Sequence, residues 1–342
     1  MMEPSALQVL WLVLFGVLVA GYAVLDGFDL GVGVLSLFRK DKDDRRLMIN
    51  AIGPVWDGNE VWLLTAGGAL FAAFTPVYAT VFSGFYMALM LLLAALIFRA
   101  VSMEFRGKVE SDRWCRLWDL GFGLGSLLPA ILFGVAVGNI MRGIPLDADG
   151  NFAGTFFSLL NPYALATGLL SLAAFVCHGA IYMGMKSDGV LRESMRKVAS
   201  RAWIGWVTLY VGATVGTFFA APHLFEGVLN NPLTWVAFLA QLVALIFVPV
   251  AVKSDKLGRA FVASAAALVA MIGLVGIGLF PNLVPALGEP AASLTIATHS
   301  STERALSTMT VIAGIGMPIV LTYTVFIYKT FKGKVQIGED SY

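Results

Sequence analysis

Apolar residues fill long uninterrupted runs of this chain, and polar residues collect in short stretches between them. Runs long enough to cross a bilayer as helix, roughly 20 residues, recur nine times, over 7–38, 50–73, 77–103, 117–141, 158–185, 202–221, 232–252, 260–280 and 305–330. A membrane barrel would instead show short segments of alternating polarity. The pattern predicts an all-α integral membrane protein of nine transmembrane helices. The first run is not expected to be a cleaved leader, because it lacks a basic start, is too long, and carries Asp26 and Asp29.

The positions of the cations test that map. Alternate connections hold Arg39, Lys40, Lys42, Arg45 and Arg46, then Arg99, Arg106, Lys108, Arg113 and Arg116, then Lys186, Arg192, Arg196, Lys197 and Arg201. Lys253, Lys256 and Arg259 follow, and Lys329, Lys332 and Lys334 lie in the tail. Of the 23 Lys and Arg, only Arg142 and Arg304 fall on the other side. The positive-inside bias then places the N-terminus outside and the C-terminus in the cytoplasm.

Composition agrees. Of the 342 residues, 58% are hydrophobic and 13% charged, where a soluble domain carries about a quarter; mean hydropathy is +0.81. The net charge of +1 averages a basic face with a nearly neutral one, and the basic rim reads as lipid-facing, with no nucleic-acid partner. Cys115 and Cys177 have neither disulfide nor metal-ligand spacing. No soluble domain is expected. The longest connections, 142–157 and 281–304, are external, and 186–201 reads as an amphipathic extension of a span. The single transmembrane domain divides into a four-helix bundle over 1–145, a second over 146–282, and a loop, ninth helix and tail over 283–342.

Ionisable groups inside a membrane need a reason, since each costs about 2.5–3.5 kcal/mol on insertion scales. Asp26 and Asp29 share a face of the first helix, three residues apart; Asp57 and Glu60 repeat the spacing in the second, beside Trp56, Asn59 and Trp62. Counting along the helices places all four acids about 10–15 Å from the cytoplasmic ends. They suit a proton or cation path, or else a structural set of caps and ion pairs with Arg39, Arg45 or Arg99. Arg99, Glu104, Arg106 and Lys108 read as a solvated helix end, or, for Glu104 and Lys108, as the mouth of that path. Gly27, Gly31 and Gly33, with Gly67 and Gly68, read as close-packing positions between helices. Of three histidines, only His178 falls inside a span, and a hydrogen-bonded core histidine is the simpler account of it than a haem or metal ligand. The chain alone is short of the axial ligands that a multi-haem protein needs.

Five segments carry a family resemblance: GYAVLDGFDLGVGVL (21–35), NAIGPVWDGNEVWLLTAGGALFAAF (50–74), FSGFYMALMLLLAALIFRAV (82–101), GSLLPAILFGVAVGN (125–139) and NPYALATGL (161–169), with a fainter echo in AASLTI (291–296). They resemble subunit II of the cytochrome bd-type quinol oxidases, most specifically over the first 145 residues. The resemblance implies a non-haem subunit of an inner-membrane complex that oxidises quinol and reduces O₂ to water. It implies a larger partner, subunit I, holding two haems b and haem d, and often a small single-helix accessory subunit. It also implies two four-helix bundles plus one peripheral helix and, in some members, a quinone within subunit II. By position, Asp57 matches an aspartate on the proton route toward the haems, Trp56, Asp26 and Asp29 match the motif residues beside it, and Glu104 and Lys108 match an acidic and a basic position near its entrance. Glu60 stands where some relatives have glutamine, and Glu104 where others have aspartate. Two other readings fit the acids: a stand-alone proton- or sodium-coupled secondary transporter, and an assembly scaffold whose acids are structural. In a transporter the broken helices would recur in both halves, whereas here the acids occupy only the first.

Overall fold

The structure is a computed structural model, and it describes residues 3–336 and 338. Helix α1 (Ala6–Ser36) begins at a capping box in which Ser5 and Gln8 satisfy each other's free backbone N–H groups. It is followed by α2 (Lys42–Ile52), α3 (Trp56–Ala73), α4 (Thr75–Gly84), α5 (Tyr86–Arg106) and α6 (Asp112–Arg142). The second half holds α7 (Pro162–Lys186), α8 (Gly189–Ala220), α9 (Pro232–Lys253), α10 (Leu257–Leu279) and α11 (Glu303–Thr330). Both α7 and α9 start on the same device, an Asn cap followed by Pro in the first helical position, where the missing N–H costs nothing. Residues 189–201, expected as a helical extension, are the first turns of α8.

Eight helices, α1 and α5 to α11, are long and apolar enough to cross a membrane. Two expected spans are not single helices. The run 50–73 is broken at Gly53 and Pro54, so that α2 ends at Ile52 and α3 restarts at Trp56; Pro54 has no N–H to continue the ladder. The run 77–103 is divided at Phe85 into α4 and α5. Helix α3 has 18 residues, and its polar first turn keeps it out of the apolar set.

The two ends of the bundle differ. At one end, which we call the basic end, ion pairs tie the helix termini together: Lys42 with Asp112, Arg45 with Asp119, Arg192 with Asp255, and Lys334 with Asp188. At the opposite end the connections 142–157 and 281–304 knit into a cap. Strands β1 (Asn282–Val284) and β2 (Leu294–Thr295) pair antiparallel, and the Ile144 N–H donates to Pro285 O at 3.1 Å. Ser301 closes the cap onto α3, its N–H donating to Ala73 O at 2.8 Å.

Helix α1 lies at the centre, packed on α3, α6, α7 and α10. Its approach to α7 is close enough that a Cβ at Gly31 would sit 2.0 Å from the Phe175 carbonyl oxygen, so only glycine allows this contact. Gly27 and Gly33 are similarly enclosed, whereas Gly67 and Gly68 meet no other helix among the described residues, because they lie on the outward side of α3. Helix α11 is peripheral, with the Leu306 side chain its one buried residue. Polar contacts pin both its ends: Trp11 Nε1 donates to Leu306 O and Thr310 Oγ1 at the cap end, and Lys186 Nζ donates to Phe331 O at the basic end.

Candidate functional site

Between α1, α3 and α5, near the basic end, lies a cluster of charge inside the apolar bundle. Arg99 of α5 is fully buried and chelates Asp26 of α1, Nη2 donating to Oδ1 at 2.7 Å and Nη1 to Oδ2 at 3.1 Å. Such a bidentate pair is among the stronger ionic contacts. Nη1 also reaches Glu60 Oε1 at 2.9 Å, and Nη2 lies 4.0 Å from Asp29 Oδ2. One guanidinium therefore serves three carboxyl groups. Isolated, any of these groups would be expelled from hydrocarbon; gathered, they satisfy one another.

Local sequence explains the placement. Asp26 and Asp29 lie on one face of α1. Asp57 and Glu60 occupy the first turns of α3, where free N–H groups and the helix dipole favour negative charge. Arg99 enters at a close α5–α6 approach, with Gly125 of α6 against its backbone. Arg99 therefore belongs to the interior, which corrects the expectation that it marks a solvated helix end: the carboxylates of α1 and α3 hold it there.

Asn59 organises the other side of the cluster. Its Nδ2 donates to Asp29 Oδ2 at 2.7 Å and to the Leu25 carbonyl at 3.0 Å, and its Oδ1 accepts from the Tyr328 hydroxyl at 3.0 Å. Asp29 Oδ1 and Arg99 Nε are buried beside these contacts without a hydrogen-bond partner among the described residues.

Asp57 does not join the cluster. It points outward from α3, at the basic end of a stripe of outward residues one and two turns apart, Val61, Leu64, Gly68 and Phe71. The four acids expected together are thus divided into three inside and one outside: 57 and 60 sit only about 60° apart around the helix, and α3 is turned so that Glu60 faces α1 and α5 while Asp57 lies just past the edge of that contact. Trp56 packs against the apolar core behind Asp57. Glu104 and Lys108 lie exposed at the end of α5, beyond Arg99. Next to them is Asp119 of α6, which the sequence reading left unassigned, engaged by Arg106 Nε at 2.5 Å and Arg45 Nε at 2.9 Å; Arg106 is buried by this contact, which corrects its reading as part of a solvated helix end. Tyr328 was missed as well, since a tyrosine 269 residues from Asn59 in sequence carries no local signal.

Haem ligation within this chain does not fit His178. His178 is buried with both ring nitrogens engaged, Nδ1 with Ser264 Oγ at 2.7 Å and Nε2 with Val24 O at 3.1 Å, and its ring stacks on Phe261. His223 and His299 lie outside the spans, and burial draws both below the usual histidine value. Among the described residues no group of three or more His, Cys, Asp or Glu is placed to hold a metal ion. Cys115 and Cys177 are unpaired thiols.

Comparison with known proteins gives a consistent result. The family described as cytochrome bd terminal oxidase subunit II matches residues 7–331. The cytochrome bd-I ubiquinol oxidase subunit 2 of Escherichia coli (strain K12) is 37% identical, covering 98% of this chain and 97% of its own length. The cytochrome bd ubiquinol oxidase subunit 2 of Bacillus subtilis (strain 168) is 33% identical, covering 98% of each. In fold, the chain resembles one from the bd oxidase of Geobacillus thermodenitrificans, with a TM-score of 0.79 at 16% identity over 96% of this chain and 99% of that one.

Proposed function

This chain belongs to the subunit II family of the cytochrome bd terminal oxidases, and from that membership we propose that it carries protons from the cytoplasm sideways to oxygen chemistry in its partner. It is a subunit of an oxidoreductase complex, a multi-pass protein of the bacterial inner membrane, and its family implies haem and a subunit I in that complex. Full-length likeness to oxidase subunits leaves the stand-alone transporter without support.

The observation that carries the proposal is the outward position of Asp57. A carboxyl group on an apolar outer stripe is costly against lipid and useful against a partner. The stripe Val61, Leu64, Gly68 and Phe71 is the proposed face for subunit I, and Gly67 and Gly68, enclosed by nothing in this chain, leave room there for close helix approach. The basic end faces the cytoplasm on this reading. Glu104 and Lys108 stand at the entrance, Asp57 at the exit, and Asp26, Asp29 and Glu60 around Arg99 form the charged wall between α1, α3 and α5. The arrangement follows two four-helix units, α1, α3, α5 and α6 and then α7 to α10, with α11 added.

The substrate is a membrane quinol, as the names of the relatives state for them. The family resemblance assigns two haems b and haem d to subunit I, and the engagement of both ring nitrogens of His178 agrees with that. A single-helix accessory subunit and a quinone within this chain follow from the family resemblance alone.

Asp57→Asn in the intact complex tests the route. The substitution keeps size and removes the exchangeable proton, so quinol-driven O₂ consumption should fall while the reduced haem spectrum stays that of the wild type. Unchanged O₂ consumption rules Asp57 out of the route. Loss of the haems themselves points to the assembly-scaffold reading.

A further inference from the structure

Helix α11 touches the bundle along its length only lightly, yet its basic end is tied down by three separate contacts. Lys186 Nζ donates to Phe331 O at 2.6 Å, the Val335 N–H donates to Lys186 O at 2.9 Å, and Lys334 pairs with Asp188. Val335 also packs against the core beneath α7. The tail is therefore a strap from α11 to the end of α7. One turn inside the strap, Tyr328 turns into the bundle and gives its hydroxyl proton to Asn59 Oδ1.

That bond completes the set of contacts that fixes the Asn59 amide. An amide has one acceptor oxygen and one donor nitrogen. The Leu25 carbonyl can only accept, so the nitrogen faces it and Asp29 Oδ2, at 3.0 and 2.7 Å, and the oxygen is left to the Tyr328 hydroxyl. Turned over, Asn59 would set an acceptor against an acceptor at Asp29, which is tolerable only with a proton between them.

We propose that Tyr328 is a positioning residue for the acid cluster: strapped in place by the C-terminal tail, it holds the Asn59 oxygen and so keeps the amide nitrogen set against Asp29. The groups around Asp29 are Asp26 on its own helix, Glu60 on α3, Arg99 on α5, and Tyr182 on α7, which also faces it. Tyr182 is committed to the Ala51 carbonyl at 2.9 Å and lies beneath the Lys186 ammonium. Among the described residues, only Tyr328 contacts Asn59 Oδ1, and it joins the tail to the charged interior. The inference rests on the proton-route reading of these acids, but its first readout is independent of turnover.

The experiment uses the whole complex and redox-induced infrared difference spectra in the carboxyl C=O region. Asp29→Asn identifies the band that belongs to Asp29. Tyr328→Phe, which removes one oxygen and keeps the ring, should move or abolish that band, slow O₂ consumption several-fold, and leave haem content unchanged. Val335→Pro removes the strap's N–H and leaves Tyr328 intact; it should displace the same band by less. An Asp29 band unmoved in Tyr328→Phe overturns the proposal, as does a spectrum with no band sensitive to Asp29→Asn. If the band moves but Asp57→Asn leaves O₂ consumption untouched, the positioning role stands and the sideways route is what fails.

Discussion

The interiors of the two halves of this bundle solve different problems. Between α1, α3, α5 and α6, ionisable side chains are buried: Asp26, Asp29, Arg99, Arg106 and Asp119. Between α7, α8, α9 and α10, the buried polar side chains among the described residues are neutral: Thr167, His178, Thr217, Thr234, Gln241 and Ser264. Both halves could have been closed with apolar packing at lower cost, because a well-packed apolar core often matches or exceeds a buried ion pair in stability. Stability alone therefore does not account for the charge in the first half, and the proton route proposed above would supply a reason for it.

Removing Arg99 should separate the halves most sharply. Arg99→Leu leaves Asp26 and Glu60 without their cation, and losing one partner of a buried pair costs about 3–5 kcal/mol. The expected outcome is a large drop in the melting temperature of the purified complex, with much of the haem-containing assembly lost from membranes. A complex that melts like the wild type would show that the cluster is neutral as built and that the contrast with the second half is not one of charge.

The sequence carried much of this contrast and missed its geometry. Apolar runs and alternating cations are coarse signals, averaged over many residues, and they placed the helical ends well. The breaks at Pro54 and Phe85 were overlooked because hydropathy windows run straight through a break that stays apolar. Spacing put Asp26 with Asp29 correctly, since both lie on one helix. It failed for Asp57 with Glu60, where the orientation of α3 against α1 decides which acid faces inward. Arg99 could be read as a helix-end cation or as an ion-pair partner of the acids, because its three anionic partners lie 39 to 73 residues away in sequence, and Tyr328 carried no local signal for the same reason.

His178 offers a milder test from the other side. If the second half is frame only, His178→Leu loses the hydrogen bonds to Ser264 and Val24, and leaving such groups unpaired costs about 1–3 kcal/mol. A modest fall in melting temperature is expected, with haem content per complex unchanged by reduced-minus-oxidised spectroscopy. Loss of any one haem would place cofactor chemistry in the second half and remove the distinction drawn here.

The smallest effect is expected at Gln241, and its sign is what matters. The residue is 1% exposed, and neither amide oxygen nor nitrogen finds a hydrogen-bond partner among the described residues. A buried amide without partners is a liability of about 1–3 kcal/mol, so Gln241→Leu, similar in length and free of polar atoms, should be neutral or stabilising in a thermal melt, and O₂ consumption should not change. The same kind of replacement in the first half, at Asp29 or Glu60, removes a group that its neighbours are built around. If Gln241→Leu instead lowers stability, Gln241 is bonded to something outside this chain, a water or a neighbouring molecule between the helices, and the second half has a polar task of its own.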